Sequence, residues 1–417
     1  MRIGYACLTV AVEQTGIRTC TLKHATPETL LSLAGENLLA LERMVDYNIA
    51  NGIRLYRISS DLISFGSSLA ANLPWETIYA ERIASISNKI AKSGMRVSMH
   101  PGQYTVLNSE GSGVVQRAIE DLQYHARVLD ALNLDQTHKI ILHVGGKYND
   151  PAGALARFRA VYRDLDESIR RRLVLENDGS IYTIAEVLEL CLSIGAPAVY
   201  DNLHNAIHPA DVTKSDAYWV EACRPTWRAE DGTQKTHYSQ PNPEKTRGAH
   251  SDNIAIDPFL NYVERLPEPR PDIMLEVKDK NRSAVKCQLC LAPPNQRLLE
   301  TEWGRYKYAV LERSPQAYQE LRTLLKDKQG DLAIPFYRLV ESALALPEDR
   351  GRAVNALEHV WGYFSDCAST AEQKRYASFL ARYQSGSAPL SEGKALLYRL
   401  AKTYQQDYLL GSYYFSL

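Results

Sequence analysis

Five short apolar runs in this chain each end at a residue that can bind a metal ion or exchange a proton. These residues are His100 in MRVSMH, His143 in KIILH, Glu176 in LVLE, Asp201 in AVYD and Glu276 in DIMLE. Imidazole and carboxylate groups together are suitable ligands for divalent metal ions. A site with several such ions activates water and neutralises phosphate oxygens, so this residue set favours metal-dependent hydrolysis of a phosphoester.

Further polar residues lie close to these runs. Asp201 and His204, in D-N-L-H, fall within one turn of chain, and His250 follows in a polar segment. Lys235 and His237 are two residues apart on a predicted strand and therefore share a face. Taken singly, each has a structural explanation about as good as a functional one. Jointly, acids and imidazoles at the ends of so many strands are not explained by packing, because such groups are normally exposed unless paired.

The remaining polar signals are less specific. Lys278 and Lys280 follow Glu276 in LEVKDK and are suited to contact a phosphate oxygen. Cys287 and Cys290 form a CxxC, but there is no second CxxC to complete a zinc site, so we interpret them as structural. The other histidines lack the placement of a strand-end ligand and are also interpreted as structural: His24, His125, His138, His208 and His359.

The periodicity of the chain predicts the elements that hold these residues. The runs RIGY, IRLYRI and KTHYS bring the predicted strands to eight, and KTHYS has the weakest strand pattern. Between the strands, apolar residues recur at three- and four-residue spacing, which predicts helices. These helices are predicted at residues 27–50, 74–92, 114–132, 152–170, 181–193 and 258–266. Such alternation predicts an α/β fold, a (β/α)8 TIM barrel in which the strand ends converge on one mouth.

Two other parts of the chain differ from this pattern. Between residues 202 and 257 the segments HNAIHPADVTKSD and SQPNPEKTRGAHSDN are polar, so we expect long loops at the mouth. After Pro293 and Pro294 the strand-end ligands stop, and apolar positions follow a helical period. We therefore predict a barrel domain at residues 1–292 and an all-helical C-terminal domain at residues 300–417.

The composition excludes several classes of protein. The net charge is -1, so any affinity for nucleic acid must come from a local basic groove and not from the overall charge. Seven cysteines scattered over 417 residues do not suggest a disulfide framework. The start MRIGYACLTV lacks the apolar core of a signal peptide, and no run is long enough to span a membrane. We expect a cytoplasmic monomer.

The same motifs resemble the UV damage endonuclease family, which is related to the endonuclease IV barrel. The resemblance covers roughly residues 1–290 and rests on RIGYAC, YRISSDLISF, SMHPGQY, LHVGGKYND, LENDG, YDNLHN, KTHYS followed by GAH, and LEVKDKN. SMHPGQY combined with LHVGG and the later D-x-x-H is the specific part. The resemblance implies a metal-dependent endonuclease that uses manganese and acts on double-stranded DNA. It would cut immediately 5′ to UV photoproducts (cyclobutane dimers and 6-4 photoproducts), leaving a 3′-hydroxyl and a 5′-phosphate for excision repair.

The resemblance also implies roles for individual residues. It implies two or three ions, with Glu176 bridging two of them, and the following ligands: His100, His143, Glu176, Asp201, His204, His237, His250 and Glu276. Lys235 matches a lysine that can be carboxylated, and the implied catalytic group is Glu176, Lys235, His237 and Glu276.

The implied DNA contacts come from other positions. Gln103 and Tyr104 match a pair that probes the duplex at the lesion, with Tyr5 nearby and Lys278 as a further contact. Thr9 stands where relatives can have an asparagine, so a polar contact to the lesion is expected to differ.

Other functions fit parts of the sequence. A sugar isomerase or epimerase of related barrel architecture would also hold divalent ions on acids and histidines, but it would have little use for an exposed Gln-Tyr pair. An abasic-site endonuclease would share the metal chemistry with a different lesion. A non-catalytic DNA-binding protein would give the clustered ligands no purpose.

Overall fold

The computed structural model describes residues 1–327 and 330–417. These residues form two compact units, Met1–Gln288 and Leu289–Leu417. In the described part of the chain, no helix combines the length and the apolar character needed to cross a membrane.

The first unit is built on a closed barrel of eight parallel strands in sequence order, with the last strand paired to the first. The strands are β1 (Ile3–Ala6), β2 (Leu55–Arg57), β3 (Arg96–Met99), β4 (Lys139–His143), β5 (Leu173–Glu176), β6 (Ala198–Asp201), β7 (Lys235–Tyr238) and β8 (Asp272–Leu275). Nearly every strand residue is buried, as expected for strands covered by helices outside and packed side chains inside. The predicted (β/α)8 barrel is confirmed, including the seventh strand.

Helices follow the strands around the barrel. They are α1 (Pro27–Ala50), α2 (Trp75–Ile78), α3 (Ala80–Ser93), α4 (Ser112–Ala131), α5 (Pro151–Asp164), α6 (Glu167–Arg170), α7 (Ile184–Ile194), α8 (Asn202–Ile207), α9 (Asp216–Cys223), α10 (Ile256–Arg265) and α11 (Asn281–Leu291). Two predicted helices, at residues 74–92 and 152–170, are each split into two.

The prediction of long loops between residues 202 and 257 is wrong in part. The side chain of Asp201 accepts a hydrogen bond from the backbone N–H of His204, and this cap starts α8 inside the polar segment. Ser215 caps α9 in the same way. Asp201 and Ser215 therefore begin helices, so the chain between β6 and β7 is not one long loop.

The register of the strands brings the predicted ligands to one level. His143 on β4 lies opposite Glu176 on β5, and Asp201 on β6 lies opposite His237 on β7. Because all strands run in one direction, these residues lie at the same end of the barrel.

The second unit is helical, which confirms the predicted C-terminal helical region. Its helices are α12 (Gln296–Arg313), α13 (Pro315–Leu324), α14 (Ala333–Leu344), α15 (Arg350–Trp361), α16 (Thr370–Gln384), α17 (Leu390–Thr403) and α18 (Asp407–Leu410). Its core contains many aromatic side chains, and the buried Glu302 accepts hydrogen bonds from Tyr337 and Tyr413. Packing therefore accounts for part of the tyrosine content.

Candidate metal centre

Glu176 is the centre of the cluster at the barrel mouth. Its carboxylate lies 3.2 Å from Nε2 of His100, 3.7 Å from Nε2 of His143 and 2.7 Å from Nδ1 of His237. Nδ1 of His204 is 3.8 Å away. The Glu176 side chain is 1% exposed, so its surroundings are almost entirely protein. One buried carboxylate therefore faces imidazoles from four loops or strands.

Three groups of potential metal ligands share this carboxylate. In each group the donor atoms lie within 4.8 Å of one another, and the groups are His100–His143–Glu176, Glu176–Asp201–His204 and Glu176–His237–Glu276. Nitrogen and oxygen donors at this spacing suit small divalent ions of the first transition row. Seven of the eight residues predicted as ligands are thus brought together, around the residue predicted to bridge.

The charges in this cluster depend on each other. Burial alone would raise the pKa of Glu176, but His237 and His143, with hydrogen bonds from His100 and His237, hold it well below its usual value. Burial lowers the pKa of His237 to about 4 and also lowers the pKa of His143. The structure therefore favours an ionised Glu176 beside neutral imidazoles at His143 and His237, which is the protonation state that metal ligands need.

Two buried donor atoms of the cluster have no hydrogen-bond partner among the described residues: Oδ2 of Asp201 and Nδ1 of His143. Burial raises the pKa of Asp201. Burial alone would lower the pKa of His204, but the nearby Asp201 and Glu176 raise it above its usual value. A buried carboxylate oxygen without a partner carries an energetic penalty that a bound cation would remove. The donors present therefore fit divalent ions.

Arg57 on β2 lies in the same cluster. It is not among the site residues predicted from the sequence. Its Nη2 donates to Oε1 of Glu276 at 2.6 Å and lies 3.1 Å from Nε2 of His237. Burial alone would raise the pKa of Glu276, but Arg57 holds it well below its usual value. Arg57 is thus a fixed cation beside two predicted ligands. The sequence signal for Arg57 is its place as the next-to-last residue of the run IRLYRI.

His250 lies at the edge of the cluster. Its Nε2 is 3.9 Å from Oε2 of Glu276, and it belongs to none of the three ligand groups described above. A backbone bridge to Pro241 fixes its position within the loop after β7. His250 can thus contribute a donor only next to Glu276.

Lys235 lies inside the barrel below His237. Lys235 is 1% exposed, and within the part of the chain that the structure describes its Nζ has no hydrogen-bond partner. Burial lowers the pKa of Lys235 well below its usual value, and the neighbouring Arg96 and Arg57 lower it further. Burial therefore shifts this amine towards its neutral form.

The loop after β3 carries Gln103 and Tyr104 at the rim of the mouth. Both are exposed, and Tyr104 is 73% exposed. The Tyr104 ring packs over Gly102, where a Cβ atom would lie 2.4 Å from the ring. Glycine is thus required at residue 102 for this position of the ring.

A cavity of about 370 Å³ lies beside the ligand cluster, and Gln103, His143 and His204 contribute to its wall. Gly145 is another wall residue with a positive φ of 107°, where a Cβ atom would meet the side chain of Asn108 at 2.4 Å. Gly145 therefore allows the backbone after β4 to pack closely against Asn108. A cavity of about 700 Å³ between α9 and α10 contains none of the predicted ligands.

Tyr5 does not line the mouth, which corrects its predicted place near the lesion site. It is 0% exposed, and its hydroxyl is bonded to Thr9 Oγ1 at 2.6 Å and to Asn48 Oδ1 at 2.9 Å. Thr9 is 7% exposed and takes part in this same buried contact. Since Asn48 belongs to α1, the Tyr5 side chain points out of the barrel and supports that helix. Lys278, in contrast, is exposed on the loop after β8.

The chain is similar to several known proteins. Residues 1–297 match the family model of the UV-endonuclease UvdE, and residues 307–417 match a family described as a protein of unknown function, DUF1722. A UV DNA damage endonuclease of Clostridium perfringens is 36% identical over 377 residues, which cover 89% of this chain and 90% of that protein. This similarity therefore extends beyond residue 297.

Two further matches cover the barrel. A UV-damage endonuclease of Schizosaccharomyces pombe is 33% identical over 69% of this chain and 50% of its own length. The crystal structure of SacUVDE is 33% identical, with a TM-score of 0.65, and covers 69% of this chain and 96% of that chain. Since the family model matches most of the chain, this protein belongs to the UV-endonuclease UvdE family.

Proposed function

We propose that this protein is a divalent-metal-dependent endonuclease that cuts DNA immediately 5′ to UV photoproducts, leaving a 3′-hydroxyl and a 5′-phosphate. The lesions would be cyclobutane dimers and 6-4 photoproducts. The single observation that carries the proposal is the buried Glu176 carboxylate shared by three groups of nitrogen and oxygen donors at the barrel mouth. Relatives described as UV DNA damage endonucleases support the choice of substrate.

The ions would be held by His100, His143, Glu176, Asp201, His204, His237, His250 and Glu276. Bound there, divalent ions would supply a water nucleophile of lowered pKa and neutralise the phosphate oxygens, and manganese suits this donor set. The chain's own contribution is to fix the donors. Asp201 is held by the backbone of α8, and Asn177 accepts the His204 Nδ1–H with its carbonyl oxygen at 2.8 Å. These contacts orient the ligands.

Lys235 is proposed to carry a carboxylate formed from carbon dioxide. A neutral amine attacks the carbon of carbon dioxide, an N–C bond forms, and one proton leaves to solvent. The buried Nζ has no hydrogen-bond partner in residues 1–327 and 330–417, and the nearby Arg57 and Arg96 would stabilise the resulting anion. A mass increase equal to one carbon dioxide in the native protein, absent from Lys235→Arg, would support this. An unmodified native mass would reject it.

Recognition of the damage is proposed for Gln103 and Tyr104. An exposed aromatic ring can replace lost base stacking, worth about 1–3 kcal/mol per base on single strands. Damaged bases unstack at lower cost than intact ones, so a protein that fills the gap selects by deformability. The cavity of about 370 Å³ behind these residues adjoins the ligand cluster. The exposed Lys278 is proposed to contact the DNA backbone.

The test is incision of a duplex that contains one defined photoproduct, with the products mapped at single-nucleotide resolution. We expect one cut directly 5′ to the lesion, with a 3′-hydroxyl and a 5′-phosphate, and no cut in the undamaged duplex. Glu176→Gln should not cut. Glu42→Gln is the matched control, because Glu42 pairs with Lys89 on the outer helices and should retain full activity. Cutting at another position would contradict the proposal.

The same assay separates the alternatives. A duplex with one abasic site reveals an abasic-site endonuclease if it is cut faster than the photoproduct. Interconversion of a ketose, without incision of either duplex, would indicate an epimerase. Binding of the photoproduct duplex without incision in manganese would indicate a non-catalytic protein.

A further inference from the structure

We propose that a buried set of hydrogen bonds clamps both ends of the loop at residues 100–105 and thereby positions Gln103 and Tyr104 for the lesion. The loop clamp consists of Ser60, Thr105, Asp121 and His125. This inference rests on the recognition role proposed above for Gln103 and Tyr104.

The first end of the loop is held through Ser60. Its hydroxyl donates to the backbone oxygen of His100 at 2.7 Å, and Nε2 of His125 lies 2.9 Å from the same hydroxyl. The Tyr124 hydroxyl donates to the backbone oxygen of Ser60 at 2.8 Å. The chain after β2 and helix α4 therefore fix the position where the loop leaves β3.

The second end is held by the same helical turn. The Thr105 hydroxyl donates to Oδ2 of Asp121 at 2.6 Å, and the Asp121 backbone oxygen lies 2.6 Å from Nδ1 of His125. Asp121 and His125 are four residues apart in α4, so they lie on one face of the helix. One turn of α4 thus reaches both ends of the loop.

The contrast in burial within this short segment points to positioning. Thr105, Asp121 and His125 are buried, whereas Gln103 and Tyr104 between the anchors are exposed. The Thr105 N–H also donates to the oxygen of Gly102, which closes a turn around the exposed pair. Fixing the loop before DNA arrives reduces the conformational entropy lost on binding. A polar network that served only the core would have no need to tie both ends of an exposed turn.

Thr105→Val is the main test, because it removes the hydroxyl and keeps the shape. We expect the ratio of affinities for a single-photoproduct duplex over an undamaged duplex to fall about tenfold, which corresponds to about 1.4 kcal/mol. Bound manganese should be unchanged. Hydrogen exchange of the loop amides should become faster. Ser64→Ala is the matched control, because its buried hydroxyl bonds to Arg18 and does not contact the loop. It should leave the ratio and the exchange unchanged.

Ser60→Ala tests the other end and should give the same loss of discrimination with manganese retained. If manganese is lost instead, Ser60 serves the ligand His100 and not the loop. In a Gln103→Ala/Tyr104→Ala background, Thr105→Val should cause no further loss, because the clamp acts through the exposed pair.

The recognition role of Gln103 and Tyr104 and the loop clamp can be rejected separately. If the double variant Gln103→Ala/Tyr104→Ala keeps full discrimination, the recognition role is wrong, and the clamp loses its purpose with it. If that double variant loses discrimination while Thr105→Val behaves like Ser64→Ala, the recognition role stands and the clamp alone is overturned.

Discussion

Arg57→Met should destabilise the metal-free protein much more than the manganese-loaded protein. Arg57 donates to Glu276 at 2.6 Å, and their side chains are 7% and 15% exposed. Removing one partner of a buried pair costs about 3–5 kcal/mol, because the other charge stays buried. Nδ1 of His237 lies 3.4 Å from Glu276 and can take up a proton, so we expect the lower end, about 3 kcal/mol.

The assay is the free energy of unfolding in urea, with chelator and with saturating manganese. Bound ions would neutralise Glu276 without Arg57, so the loss should shrink to about 1 kcal/mol or less when manganese is present. Lys139→Met is the matched control. Lys139 lies 2.5 Å from Asp231 at the other end of the barrel, their side chains are 0% and 11% exposed, and the loss of stability should be the same with and without manganese. An equal loss for Arg57→Met under both conditions would show that bound ions do not take over the role of Arg57.

Three further predictions use other parts of the chain. Glu176→Gln should lower incision more than about 100-fold, because it removes the shared carboxylate, while affinity for a photoproduct duplex stays within about threefold; a titration in calcium measures this. Truncation after residue 297 should leave manganese stoichiometry unchanged, since every proposed ligand precedes that point; loss of manganese from a folded truncation would contradict this. His138→Asn should reduce the loss of folding stability that occurs as the pH falls. Burial lowers the pKa of His138 to about 4, so the unfolded chain protonates first, and stability that is complete above about pH 6.5 falls towards pH 4, by up to about 3 kcal/mol.

The parts of the fold that sequence could predict are those set by local pattern. The apolar runs and the helical spacing between them give the barrel, and a ligand-type residue at the end of a parallel strand is placed at the mouth by topology alone. The positions of Glu176 and His143 at the mouth can be predicted in this way. Their mutual distance follows from strand register. The helix cap at Asp201 is also a local feature of the sequence. It is hard to recognise because Asp201 and His204 in D-N-L-H look like a pair of metal ligands.

The residues that sequence does not reveal depend on partners distant in the chain. Arg57 meets Glu276 across 219 residues, and His125 meets Ser60 across 65 residues. Burial of His125 follows from its helix face, but its role as an anchor requires the tertiary structure. The orientation of the Tyr5 side chain also depends on residues that are distant in the chain. Its neighbour Ala6 packs with Leu55 and Met274, so strand alternation turns Tyr5 outwards to α1.

Nicking of supercoiled plasmid, irradiated or not, by the protein freed of metal tests damage-specific incision directly. We expect that the irradiated plasmid alone is nicked, that manganese restores the activity after chelation, and that Glu176→Gln stays inactive at every manganese concentration. Equal nicking of both plasmids, or nicking of the irradiated plasmid that persists in chelator, would contradict a damage-specific endonuclease built on the Glu176 cluster.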